Sequence, residues 1–220
     1  MKKILALLPL IGAFALTGCG GDKEEEGEGQ NLEISQEQAK QKMKQLESSG
    51  GYEISFKTSD NGNESEASTI GAKDGYFWYQ DEDSGTMYLL SNNDQLTVYE
   101  WDSENSKFAV SGEDYLGKEY YETLYDSQST VLYWAFTYDG SDAFHKVKEF
   151  TYVGRTAIEY KLSVAAYGVS VTEKVYIDKE TGITLYWSVE GHNIQGDSGS
   201  AGYQVTSFKT GAQVSVPRHD

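Results

Sequence analysis

Gly196-Asp197-Ser198-Gly199 has the letters of a loop that presents a serine nucleophile. Such a serine works only with a histidine base beside it and a buried carboxylate that orients the imidazole. The available histidines are His145, His192 and His219. None stands in a context that marks a catalytic base, and a Gly/Ser-rich connection between two strands explains the same letters. Asp81-Glu82-Asp83-Ser84-Gly85 spaces its oxygen ligands as a calcium loop begins. The acid such a loop needs about six residues after its glycine is absent, because Ser91 stands there, so this segment reads as a hairpin turn. The histidines show neither i, i+4 spacing nor an H-E-x-x-H pattern, and no zinc site is expected. No glycine-rich phosphate loop is present. With 35 acidic residues, closeness of two carboxylates along the chain cannot single out a glycosidase pair. The expectation is a protein without catalytic residues, metal or cofactor, and not an enzyme.

Cys19 is the one cysteine, and its chemistry is set by what precedes it. Lys2 and Lys3 are followed by the apolar run Ile4 to Leu16 and then by Thr17-Gly18-Cys19. A charged start, an apolar middle and small residues at the end make an export signal. The run contains Pro9 and Gly12 and falls short of the roughly 20 residues that span a bilayer. Leu16-Thr17-Gly18-Cys19 resembles the lipobox of bacterial lipoproteins. The resemblance implies cleavage after residue 18, diacylglyceryl and palmitoyl modification of Cys19, and an extracytoplasmic protein anchored to the cell membrane by lipid. With Cys19 used for lipidation, no thiol remains for a disulfide or metal site.

Removing residues 1–18 takes away two lysines and no acids, so the formal charge goes from −17 to −19, with 16 basic against 35 acidic residues. Such a field repels phosphate backbones and excludes nucleic acid as a natural partner. Residues 19–31 are dominated by Gly and Glu. They cannot bury enough apolar surface to offset their ordering entropy, so they read as a tether reaching about 20 Å. Their composition is similar to that of surface lipoproteins of Gram-positive bacteria, which favours that envelope over a periplasm. Residues 32–220 form one domain on this reading.

What holds candidate residues in place is a β-rich fold. Seventeen tyrosines, eight phenylalanines and four tryptophans against two prolines suit pleated, half-buried surfaces, and 23 glycines suit tight turns. Ser35-Gln36-Glu37-Gln38 has the form of a capping box, with Ala39, Met43 and Leu46 at helical spacing, which predicts a helix over 36–47. From Tyr52 the period becomes two. Strands are expected over 52–56, 64–72, 76–80, 86–91, 96–101 and 107–110, then over 146–153, 156–164, 169–178, 183–190 and 203–209. The connections are short enough to make two antiparallel meanders. Between them, 112–138 breaks the alternation, and Leu116, Tyr120, Leu124, Val131, Leu132, Ala135 and Phe136 suit helical turns. The fold class is mainly β (α+β): a strongly curved antiparallel sheet or half-barrel of about ten strands, with the N-terminal helix and the insert covering its concave face.

Tyr176-Ile177-Asp178-Lys179-Glu180-Thr181-Gly182 is a hairpin signal between apolar strands. With the order helix, meander, insert, meander, it resembles the lipoprotein-carrier (Lol) superfamily over most of residues 32–210. That resemblance implies a half-closed barrel lidded by helices and a role in binding or passing lipids. The alternating sets Tyr52, Ile54 and Phe56, Ile158, Tyr160 and Leu162, and Leu185 and Trp187 would line such a cavity. The same residues would form an ordinary core if the cavity were filled. Two functional classes follow: a lipoprotein binding a lipid or other amphiphile in a curved-sheet cavity, or a surface accessory lipoprotein that meets an envelope protein and takes no small ligand.

Overall fold

Alternation of apolar and polar residues turns into one antiparallel sheet. The computed structural model describes residues 32–81, 86–91, 97–102, 104–113, 126, 129–136, 144–166 and 168–217. Cys19, the signal 1–18, the tether 19–31 and most of the expected helical insert lie outside the described residues.

The strands are β1 (Tyr52–Asp60), β2 (Asn63–Glu64), β3 (Ser68–Lys73), β4 (Tyr76–Asp81), β5 (Thr86–Ser91), β6 (Thr97–Asp102), β7 (Lys107–Glu113), β8 (His145–Tyr152), β9 (Arg155–Ala166), β10 (Val169–Asp178), β11 (Thr184–Asn193) and β12 (Ser198–Thr210). Their order in the sheet is β7-β6-β5-β4-β3-β1-β12-β11-β10-β9-β8, with β2 paired to β1 alone. Both expected meanders are present. They join where the first strand meets the last: Tyr52 stands opposite Thr210 and Phe56 opposite Val205, with a bulge between Ser55 and Phe56. The sheet edges β7 and β8 are therefore neighbours in the chain order of strands, and no pairing closes them into a barrel among the described residues.

One sheet face is covered. Tyr52, Ile54, Phe56, Ile70, Phe77, Ile158, Tyr160, Val175, Trp187, Tyr203 and Val205 are each at most 4% exposed and form one core. Helix α1 (Gln36–Ser48) lays Ala39 and Met43 into it, both wholly buried. The helix starts where the sequence requires: the Gln38 amide donates to Ser35 Oγ at 3.2 Å, and the Ser35 amide to Gln38 Oε1 at 2.9 Å, satisfying orphan donors of the first turn. Of the insert, Thr130–Phe136 is a 3-10 segment kinked at Tyr133, and it lies against β11 and α1. Its Ala135 amide donates to Thr184 Oγ1 at 3.1 Å in the buried interior.

The opposite face is partly dressed. Gly71 stands opposite Trp78 in the β3–β4 pair, and a side chain on Gly71 would lie 2.2 Å from the indole. The ring therefore needs glycine beneath it. Trp78 is covered in turn by Val214, beyond the 3-10 turn Gly211–Gln213, and Lys73 Nζ fixes that tail by donating to the Val214 carbonyl at 2.8 Å.

Candidate functional site

Along the seam between α1 and strands β9 and β10 lies a cleft of about 400 Å³. Its floor is Ile34, Ile158, Tyr160 and Ile177, and its rim carries Gln38, Gln41, Lys42 and Gln45 from one flank of α1 with Glu33, Asp178 and Lys179 opposite. The cleft follows from the helix pattern. Ala39 and Met43 face the sheet, and the neighbouring polar residues Gln38, Gln41 and Gln45 stand at the solvent-exposed lip of the groove.

Charge pairs hold the rim. Lys146 Nζ reaches Glu33 Oε1 at 2.6 Å and Glu149 Oε1 at 3.1 Å, and Lys179 Nζ reaches Glu149 Oε2 at 2.8 Å. Hydrogen bonding to these lysines holds the Glu149 carboxyl below its ordinary range, and the two carboxylates raise Lys146. At the hairpin end, Arg155 grips Asp178 in a fork at 3.0 and 2.9 Å, which raises the guanidinium further. Asp178 Oδ2 also accepts from the Thr181 amide and hydroxyl at 2.8 and 2.6 Å. Lys42 Nζ donates to the Glu180 carbonyl at 2.5 Å, fastening α1 to the same hairpin. The Glu33 amide lies 3.4 Å from Tyr160 Oη, so the segment entering α1 is pinned beside the cleft.

All eight aromatic and aliphatic residues read from the strands belong to the core or its margin. Ile158 and Tyr160 line the cleft. Tyr52, Ile54, Phe56, Leu185 and Trp187 are packed within the core, and Leu162 is half-buried beside it. The groups that reasoning from sequence did not single out are the rim residues and a buried polar pair farther along the covered face. Glu173 is 4% exposed and accepts from Trp187 Nε1; burial pushes its carboxyl up to about 7. Tyr203, opposite Trp187 across β11 and β12, is buried, and its hydroxyl has no hydrogen-bond partner among the described residues. Burial raises that phenol as well. A signal for Glu173 existed: it occupies the apolar register of Val171, Val175 and Ile177.

His192 and Ser198 are opposed in the β11–β12 pair. Both are exposed, no hydrogen bond joins them, and the nearby Asp197 accepts from Asn193 Nδ2 at 2.9 Å instead. That arrangement lacks the buried orienting carboxylate that serine chemistry requires. Among the described residues no group of His, Cys, Asp and Glu is placed to hold a metal, and no helix is long and apolar enough to cross a membrane.

No protein-family model and no curated protein sequence matches the chain. Solved structures are similar to it in part. The structure titled MucB in complex with MucA(peri) is 17% identical with a TM-score of 0.32, covering 79% of this chain and 55% of that one. This chain thus spans about half the length of that protein. An uncharacterized conserved protein from Thermus thermophilus is 13% identical with a TM-score of 0.35, covering 79% of this chain and 86% of its own. A beta-barrel-like DUF1849 protein from Brucella abortus is 8% identical with a TM-score of 0.18, covering 74% and 99%.

Proposed function

We propose that this chain is an extracytoplasmic lipoprotein, anchored through Cys19 to the cell membrane, that binds the apolar segment of a lipid or other amphiphile without catalysing a reaction on it. The observation that carries the reading is the α1 cleft: an apolar floor under a rim of amides and charges. Its volume of about 400 Å³ falls within the range of roughly 300–1,000 Å³ typical of small-molecule sites. The floor suits a hydrocarbon chain, and the rim suits a polar head. A Gram-positive surface is the setting that the Gly/Glu tether favours.

The test uses the anchored protein, whose Cys19 is then no free thiol. A Gln41→Cys variant carries a polarity-sensitive fluorophore at the cleft, and a Lys174→Cys variant carries it on the uncovered sheet face. Titration with lysophospholipid should give a saturable blue shift for the first alone, and Gln45→Trp added at the rim should remove it. Equal responses at the two positions, or none at Gln41, would overturn the proposal. In that case crosslinking to an envelope protein becomes the next measurement. Incorporation of labelled palmitate, lost in Cys19→Ser, tests the anchor separately.

A further inference from the structure

On the sheet face turned away from α1, a pit of about 150 Å³ opens at Gly202. Strand register explains it. Ser188 of β11 and Ser59 of β1 stand opposite Gly202, and Tyr186 and Lys57 stand opposite Gln204. Opposed residues and residues two apart share a face, so these six positions lie on one side, the reverse of Phe56, Trp187 and Val205 in the core. Glu64 of β2, paired to Ser59, closes the far end. Gly202 alone leaves a space in this grid. It is not at a positive φ, so the backbone does not require glycine there. A side chain at Gly202 would stand 2.7 Å from Ser59 Oγ and occupy the pit.

One wall is aromatic and firmly held. Tyr186 stacks on Tyr176 across β10 and β11, with ring centroids 4.6 Å and planes 25° apart, and Tyr176 meets Phe150 in a T-shaped contact at 4.8 Å. Tyr176 lies on the side of Tyr186 away from β12, so the other face of the Tyr186 ring borders the pit. The remaining walls are polar and loosely tied. Lys57 Nζ stands 3.6 Å from Glu64 Oε2, and Gln204 Nε2 stands 3.5 Å from Glu64 Oε1, distances at or beyond the limit of a hydrogen bond. The Ser59 and Ser188 hydroxyls have no hydrogen-bond partner among the described residues.

We infer that this pit is a second binding site, for one neutral pyranose sugar. The two serine hydroxyls and the Gln204 amide both donate and accept, Glu64 accepts and Lys57 donates. A ring of adjacent hydroxyl groups, each a donor and an acceptor, uses that mixed inventory in full. The Tyr186 ring supplies the apolar surface on which the C–H side of a pyranose lies, and a few convergent polar groups beside an aromatic wall are the make-up of a small-molecule site. Other ligand classes fit worse. Lys57 and Glu64 cancel, which leaves no net charge for an ion, and the formal charge of −17 on the whole chain repels anions. An apolar ligand would strip water from these polar groups and pair with none of them. None of the pit residues lines the α1 cleft, so the site does not depend on amphiphile binding there.

The experiment is saturation-transfer NMR on the full chain in phosphatidylcholine nanodiscs, with methyl β-D-glucopyranoside as the probe and glycerol and glucose 6-phosphate as controls. The glucoside should bind saturably and about fivefold more tightly than glycerol, which has no ring face, or the phosphate, which is charged. Saturation should be strongest at the axial hydrogens of one ring face, those that lie on Tyr186. Gln204→Leu changes a half-exposed side chain, so it should fold and weaken the glucoside about fivefold. Gly202→Ala fills the pit and should abolish binding, with thermal unfolding as the check that it folds. Equal binding of the three probes, undiminished glucoside binding by a folded Gln204→Leu or Gly202→Ala variant, or no binding by the folded wild type would each overturn the inference. Gln45→Trp at the rim of the α1 cleft should leave the glucoside signal unchanged, and its loss there would place the sugar in that cleft and overturn the inference as well. The two sites therefore fail or stand separately.

Discussion

Replacing Glu173 with glutamine should make the protein more stable at alkaline pH, which is the reverse of what removing a native charge commonly does. The Glu173 carboxyl moves from an ordinary 4.5 to about 7 because burial disfavours its ionised form. At about 1.36 kcal/mol per pH unit, this displacement amounts to about 3 kcal/mol. The folded protein holds the proton more tightly than the unfolded chain, so the unfolded chain binds fewer protons between the two values. The slope of stability with pH is therefore negative there. The contribution is intact below pH 4.5, falls as pH rises, and is fully lost above pH 7. Glutamine does not titrate and still offers Oε1 to the Trp187 indole. Glu173→Gln should match the wild type near pH 4.5 and exceed it by about 3 kcal/mol at pH 8, an increase in Tm of about 6–12 °C for a chain of this length. Scanning calorimetry of both proteins at both pH values isolates this residue, because every other titrating group is common to the pair. A stability difference that does not change between pH 4.5 and pH 8 would refute the argument.

Three further outcomes are expected. Gly71→Ala places a methyl 2.2 Å from the Trp78 ring, so the indole must move; a loss of about 1–3 kcal/mol with a changed near-ultraviolet dichroism of tryptophan checks it. Asp178→Asn leaves the Arg155 guanidinium with the exposed Glu180 carboxylate alone, at 2.8 Å, and weakens the Thr181 bonds, and urea unfolding should show a loss of about 1–3 kcal/mol. Ser35→Ala removes the acceptor for the Gln38 amide at a cost of about 1 kcal/mol, seen as faster amide exchange confined to the first turn of α1.

Much of this architecture was readable because local rules governed it. Ser35 and Gln38 announced a helix start, and α1 begins there with both reciprocal hydrogen bonds made. Strands with apolar alternation, such as Tyr52, Ile54 and Phe56, fell where expected, and tight turns made each meander. Where pairing is made by backbone alone, the pattern is silent. β12 begins at Ser198 rather than at 203, since Gly199, Ser200, Ala201 and Gly202 carry no alternation yet pair with β11. The β1–β12 seam has no turn to announce it. In the insert, helical spacing of Val131, Leu132 and Ala135 became a 3-10 segment kinked at Tyr133; Leu116, Tyr120 and Leu124 lie outside the described residues. The cleft was only half visible. Its floor residues Ile158 and Tyr160 stood out as apolar, whereas its rim depends on how α1 is rotated over the sheet, a tertiary property. Glu173 was visible as an acid in an apolar register and was passed over among 35 acids.

The seam between β1 and β12 also sets an order of events. Glu53 and Lys209 meet at 2.6 Å although 156 positions separate them, and β1 holds the middle of the sheet. During vectorial synthesis the first strand emerges early and must wait, paired on one side, until almost the entire polypeptide has followed. Contacts of such long sequence separation slow the search for the native state. A nascent chain that stalls before residue 198 therefore holds two unjoined meanders and an exposed central strand, a form recognisable to proteases and still loose enough to be threaded through a pore.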